Sequence, residues 1–135
     1  MTFEVVEFAG REGLEPAMAR IAAIRPGALW VVLSPVPWSE RRRIAEFAIA
    51  NRLPSFAAGR VYAEAGGLAS YSADISDLFR RSANHVDRLL RGVTPADLPV
   101  EQPTKFELVI NLKTAKALRL TIPQSLLLRA DHVIE

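Results

Sequence analysis

The chain has 135 residues, of which 50% are hydrophobic and 24% charged, and its formal net charge is +2. This length supplies one domain with a substantial buried core, and the composition excludes a disordered chain. The lack of cysteine excludes a disulfide framework and thiolate chemistry, and no apolar run reaches the ~18–20 residues that a membrane span needs.

The N-terminal part of the sequence predicts strands that alternate with helices. Alternating residues predict a strand over Phe3–Phe8, and Leu14–Ile24 has the apolar spacing of a helix. Leu29–Ser34 is a continuous apolar run, which is typical of a central parallel strand buried on both faces. Pro35–Pro37 is predicted to form a loop, with Ser39 capping the helix that follows.

Two further strands complete the predicted sheet. Leu53–Ala58 and Leu68–Ser72 are the third and fourth strands, and Gly59–Gly67 between them holds a turn and a short helix. Four strands alternating with helices predict an α/β fold with a parallel sheet and flanking helices.

The C-terminal part begins with an amphipathic helix. Asp74 is its predicted N-cap and Gly92 stands where a C′ residue belongs. Three prolines make Thr94–Thr104 an extended crossover, after which Phe106–Asn111 is a strand and Leu112–Leu120 a helix.

Catalytic and metal-binding patterns are absent from the sequence. His85 and His132 are the only histidines, neither lies in a catalytic or ligand motif, and no cofactor motif is present. The basic clusters Arg41–Arg43 and Arg80–Arg81 are each flanked by acidic residues, which indicates a solvated helix face rather than a nucleic-acid site. The sequence therefore predicts a protein that is not an enzyme and that uses no cofactor, metal or nucleic acid.

The C-terminal sequence carries a family resemblance. Val86–Glu135, ending in TIPQSLLLRADHVIE, closely resembles the C-terminal end of the ABC-transporter substrate-binding proteins that include tryptophan- and phenylalanine-binding members. Upstream, SERRRIAEFAIANRLP and AEAGGLASYS are similar to family segments. Two departures are Arg119 and Ser72, which stand where the family commonly has Gly.

The resemblance implies the type I periplasmic binding protein fold, in which the chain forms two lobes. Residues 1–73 would form a unit like lobe two, and residues 74–135 a C-terminal helix–strand–helix segment that belongs to lobe one. The implied function is that of a solute-binding component, or a truncated fragment of one, of an ABC importer for an amino acid or a similar small solute. Its partners would be that solute and an ABC permease.

A ligand in such a sheet is expected beyond the carboxyl ends of the strands. An amino acid needs receptors for its carboxylate and its ammonium group, and walls for its side chain. Serine hydroxyls would take the carboxylate, an aspartate the ammonium group, and aromatic rings the side chain. The candidate ligand-binding residues are Ser34, Trp38, Ser39, Tyr62, Tyr71 and Asp74.

Ordinary structural roles compete with this interpretation. Ser39 and Asp74 are residue types that commonly cap helices, and the competing role for Trp38 is to cover the sheet edge instead of a ligand. The second candidate function is accordingly a cytoplasmic remnant that binds no solute and acts as a self-associating α/β module. Family resemblance implies a periplasmic location, whereas the N-terminal MTFEVVEFAG has no signal-peptide features and predicts a cytoplasmic one.

Self-association is expected from elements that the resemblance leaves without partners. Phe3–Phe8 and Leu29–Ser34 would flank a vacant strand position, and Phe106–Asn111 would lack neighbouring strands. The amphipathic helix Ile75–Arg91 would expose its apolar face. These features predict a homodimer or higher oligomer formed by exchange of the C-terminal segment.

Overall fold

The computed structural model describes residues 2–32 and 34–135. The helices are α1 (Leu14–Ile24), α2 (Pro35–Ser39), α3 (Arg41–Ala50), α4 (Arg60–Glu64), α5 (Ile75–Leu90), α6 (Leu112–Ala117) and α7 (Gln124–Leu127). The strands are β1 (Leu29–Val31), β2 (Ser55–Ala57), β3 (Ala69–Ala73), β4 (Phe106–Asn111) and β5 (His132–Ile134), and a 3-10 turn spans Pro95–Asp97. No helix in the described part of the chain is long and apolar enough to cross a membrane.

All five strands form one sheet in the order β1-β2-β3-β4-β5. The pairs β1–β2, β2–β3 and β4–β5 are parallel, whereas β3 and β4 are antiparallel, with Tyr71 opposite Leu108. The predicted α/β class with a mostly parallel sheet is confirmed. β4 runs antiparallel to β3 because the chain re-enters the sheet beside the end at which β3 leaves it. At that end the Asp74 N–H donates a hydrogen bond to the Lys105 carbonyl at 3.0 Å.

The main hydrophobic cluster lies on one face of the sheet. Val31 and Ala57 point to this face, where they meet α1, α3 and α4 through a buried cluster that also contains Leu14, Met18, Ile44, Ala45 and Tyr62. The opposite face carries Trp30, Phe56 and Tyr71, and Trp30 is 66% exposed. The expectation that Leu29–Ser34 is a central strand buried on both faces is therefore wrong: β1 is a short edge strand.

Two predicted elements near the N-terminus differ in the structure. Phe3–Phe8 forms no strand, and within the described residues β2 is the one strand that pairs with β1. Pro35–Pro37 is helical rather than a loop, because prolines in a first helical turn remove only N–H groups that would have no helical partner. Ser39 does not cap α3, since Glu40 holds that position and the Ser39 hydroxyl donates to the Val36 carbonyl at 2.9 Å.

Other element predictions are confirmed. Leu14–Ile24 and Phe106–Asn111 have the predicted bounds. Asp74 caps α5 by accepting a hydrogen bond from the Asp77 N–H at 3.1 Å, and Gly92 takes a positive φ of 91° just after the helix. The helix predicted over Leu112–Leu120 stops at Ala117, and Arg119 adopts the left-handed conformation at φ 57° despite its side chain.

Strand β4 is paired on both sides. β4 lies between β3 and β5, so the expectation that Phe106–Asn111 lacks neighbours is wrong. Because Phe3–Phe8 is not a strand, the vacant position beside it also disappears. The division of the chain at residue 74 into two lobe segments stays a prediction, although one sheet joins strands from both.

Candidate functional site

Segments that follow the parallel strands meet at one edge of the sheet. Ser34 follows β1, Gly59 follows β2 and Asp74 follows β3, while Lys105 precedes the antiparallel strand β4. We call this the carboxyl edge. Parallel α/β sheets bind ligands at such an edge, because the connecting loops leave a crevice there.

The segment after β1 brings a hydroxyl and an indole to the carboxyl edge. Ser34 is exposed at the N-cap of α2, and its side chain forms no capping hydrogen bond with the described residues. Trp38 is 48% exposed, and the Arg41 guanidinium lies 5.7 Å from the centre of its ring. Arg41 also donates to the Trp38 carbonyl at 2.8 Å, which holds the cation over the indole.

Tyr62 lies in the core and not at the wall of a pocket. Its side chain is fully buried, and its ring closes on Gly67 so tightly that an added Cβ at that glycine would overlap it. The hydroxyl has no partner of good hydrogen-bond geometry within the described residues. Burial raises the pKa of Tyr62, and the hydroxyl of Ser55 opposes the rise.

Tyr71 lies on the uncovered face of the sheet. Its ring stacks on that of Phe106 with 5.5 Å between centroids and 18° between planes. The side chain is 51% exposed. The pair forms a flat aromatic surface next to the carboxyl edge, available to a planar partner.

Asp74 and Lys105 form an ion pair at the carboxyl edge. The Asp74 carboxylate lies 2.7 Å from the Lys105 ammonium group. This hydrogen bond, with a second from the Asp77 N–H, lowers the pKa of Asp74, and the same contact raises the pKa of Lys105. The predicted ammonium receptor therefore already has a cation partner, which an amino acid would have to share.

A second charge cluster lies at this edge and was not predicted from the sequence. Arg60, in the first turn of α4, donates to Glu64 at 2.7 Å and to Glu107 at 3.2 Å. The hydrogen bond to Glu64 raises the pKa of Arg60 further. The spacing of Arg60 and Glu64 signals a helical pair in the sequence. The sequence does not predict that Glu107 and Lys105 lie at the carboxyl edge, because their place there depends on β4 running antiparallel to β3.

A concavity lies away from most of the predicted site residues. A surface groove of about 670 Å³ runs from Ser39 and Arg42 across α4 to Asn111 and Thr114. Of the six predicted site residues it includes only Ser39. In residues 2–32 and 34–135 no three histidine, aspartate or glutamate side chains are grouped to hold a metal ion.

Comparison with known proteins gives a consistent result. Residues 17–134 match the family described as ABC transporter substrate binding protein. A search of curated proteins finds no match.

Three solved structures share the fold. An ABC domain from Streptococcus pneumoniae in complex with L-Trp is 27% identical, with a TM-score of 0.87, and the match covers 97% of this chain and 45% of that one. A conserved domain protein from Vibrio cholerae is also 27% identical, with a TM-score of 0.83 over 91% of this chain and 41% of that one. A ligand-free, open substrate-binding protein with adhesive properties from Clostridium difficile is 19% identical, with a TM-score of 0.68 over 94% of this chain and 42% of that one, and shows the fold alone. The chain thus spans less than half the length of these proteins.

Proposed function

The chain belongs to the ABC transporter substrate-binding protein family, and we propose that its carboxyl edge forms one face of a solute site for an amino acid. In this proposal the protein binds its solute without transforming it and delivers it to an ABC permease. The observation that carries the amino-acid class is the complex of the Streptococcus pneumoniae domain with L-Trp, whose fold matches 97% of this chain.

The chemistry of the carboxyl edge supports this solute class. A zwitterionic amino acid carries opposite charges close together, and the Asp74–Lys105 pair offers the complementary charges 2.7 Å apart. The solute's ammonium group would bind Asp74, and its carboxylate would bind Lys105 and the Ser34 hydroxyl. Trp38 and Tyr71, both about half exposed, would bound an aromatic or aliphatic side chain.

One face of a site binds weakly. The ligand would keep much of its surface in water, so every charge contact would be screened. A ligand present at its own dissociation constant stabilises a fold by only about 0.4 kcal/mol, too little for a clear melting shift. We therefore expect millimolar affinity and no measurable change in Tm with L-Trp.

An NMR titration detects such weak binding. We expect L-Trp, in two-dimensional ¹H–¹⁵N spectra of the labelled chain, to shift the amide signals of Ser34, Trp38 and Asp74 in a saturable way. Trp38→Ala should weaken the response, whereas the matched variant Trp30→Ala, which removes an indole from the sheet face, should leave it unchanged. Lack of any saturable shift at these amides with aromatic or aliphatic amino acids would refute the proposal.

The second candidate function is a non-binding module that associates with itself. A specific observation favours it: helix α5 exposes large apolar side chains, including Phe79 at 74% and Leu90 at 83%. If the titration shows no binding while the chain forms a defined oligomer, this second candidate replaces the first.

A further inference from the structure

The two neighbouring arginines of α5 differ in their surroundings. The Arg80 side chain is 75% exposed and pairs with Asp77 on the same helix at 3.4 Å. The Arg81 side chain is only 29% exposed. Both arginines are predicted from the sequence to lie on a solvated helix face, but Arg81 lies against another part of the chain.

Arg81 binds the segment that returns to the sheet ahead of β4. Its guanidinium donates to the Glu101 carboxylate at 2.6 Å and to the Thr104 hydroxyl at 2.9 Å. These partners lie 20 and 23 residues further along the chain, so the two contacts join separate segments. The hydrogen bond from Arg81 is the main cause that lowers the pKa of Glu101, so the pair stays ionised in the neutral range. Because two donors of one planar guanidinium are used, the geometry is fixed more closely than by a single bond.

The same two segments carry the charge receptors of the proposed solute site. Arg81 lies about two turns into the helix that begins after the Asp74 cap, and Thr104 is the residue directly before Lys105. The Asp74 N–H donates to the Lys105 carbonyl at 3.0 Å, and the side chains of these two residues pair at 2.7 Å. Arg81 therefore joins the segment of one receptor to the segment of the other.

Lys105 depends on such support more than Asp74 does. Asp74 is held by its own helix, because its carboxylate accepts a hydrogen bond from the Asp77 N–H at 3.1 Å. Lys105 has a long, flexible side chain that is 63% exposed. It also lies just outside the paired part of β4, which begins at Phe106. The distance between the two receptors is thus set by what holds the returning segment against α5.

We propose that Arg81 is a positioning residue that holds Lys105 beside Asp74, so that the two receptors are spaced for one zwitterionic solute. This inference rests on the proposed function, in which Asp74 binds the ammonium group and Lys105 the carboxylate. Arg81 itself does not contact the solute. Its loss should let the returning segment move away from α5, and one solute molecule would then no longer meet both receptors at once.

Hydrogen exchange measures the position of Lys105 without any solute. In two-dimensional ¹H–¹⁵N spectra, the exchange rate of the Asp74 amide reports how often its hydrogen bond to the Lys105 carbonyl opens. Arg81→Gln should make this amide exchange about tenfold faster, the factor that corresponds to loss of one weak charged hydrogen bond. The Asn111 amide, which donates to the Leu68 carbonyl at 2.9 Å at the other end of β4, should keep its rate.

Three further variants separate position from charge. Thr104→Val removes the acceptor next to Lys105 without a change of charge, and should act in the same direction as Arg81→Gln by a smaller factor. Arg81→Lys keeps the charge but offers one ammonium group in place of two donors in fixed geometry, so it should restore only part of the protection. Arg88→Gln removes a charge from an exposed position of the same helix and is the matched control, which should exchange like the parent.

The NMR titration with L-Trp completes the test. Arg81→Gln should weaken the affinity about three- to tenfold relative to the parent and to Arg88→Gln. An unchanged exchange rate at Asp74, or faster exchange with unchanged affinity, would overturn the proposal. Equal acceleration at Asn111 would also overturn it, since it would show a general loosening of the fold. If the parent binds neither L-Trp nor the other amino acids of the titration, the proposed function fails, while the exchange at Asp74 still decides whether Arg81 holds Lys105 in place.

Discussion

Asn111 ties the end of strand β4 to helix α4, and its removal should destabilise the fold. Asn111 is buried, and its Nδ2 donates to the Ala63 carbonyl at 2.8 Å while its Oδ1 accepts from the Thr114 N–H at 3.1 Å. The first contact joins residues 48 positions apart, and the second caps α6.

The loss of unfolding free energy expected for Asn111→Ala follows from these two contacts. Loss of the cap costs about 1 kcal/mol. Loss of the buried hydrogen bond costs a further ~1 kcal/mol, since the Ala63 carbonyl keeps its bond from the Gly66 N–H. A total near 2 kcal/mol should lower Tm by about 6–10 °C in a chain of this length.

Urea and thermal unfolding followed by circular dichroism measure this effect. Asn111→Ser keeps a capping oxygen but cannot reach Ala63, so it should lose about half as much stability. Asn84→Ala, at an exposed position in α5, is the matched control and should unfold like the unaltered chain. The reasoning fails if Asn111→Ala unfolds within about 0.5 kcal/mol of the parent, or if Asn111→Ser shows no loss at all.

Acrylamide should quench both Trp30 and Trp38, as separated by Trp→Phe variants at each site, because both indoles are about half exposed or more. Protection of Trp30 would instead indicate that something covers its sheet face. As pH falls through the lowered pKa of Asp74, the stability that its pairing with Lys105 provides above the ordinary aspartate range should be lost. Asp74→Asn should reduce this loss of unfolding free energy at acid pH, and an unchanged pH dependence would contradict the pairing. Burial raises the pKa of Tyr62, so stability should fall as pH rises above about 10, where the unfolded chain ionises first. Absorbance at alkaline pH measures the ionisation of the tyrosines. A Tyr62→Phe variant that loses the same stability at alkaline pH would refute this role of Tyr62.

Local chemistry in the sequence was sufficient to predict several elements. The apolar spacing of Leu14–Ile24, the Asp74 cap and the alternating strand Phe106–Asn111 all appear as predicted, because each depends on interactions within a few residues. The family membership also followed from contiguous sequence. Of the candidate site, Ser34, Trp38 and Asp74 were placed at the carboxyl edge because a βα connection fixes that position.

Long-range contacts decided the rest. The apolar run at Leu29–Ser34 indicated burial on both faces, but Trp30 is exposed because the helices that pack against β1 and β2 through the buried cluster lie on the face opposite to it. The sequence predicted Tyr62 as a wall of the ligand pocket, whereas its burial and its contact with Gly67 place it in the core. The Asp74–Lys105 pair joins residues 31 positions apart through the antiparallel pairing of β3 and β4. Sequence alone thus determined where segments begin and what they can form, whereas strand direction and the packed face were decided by the tertiary structure, because they depend on contacts between distant residues.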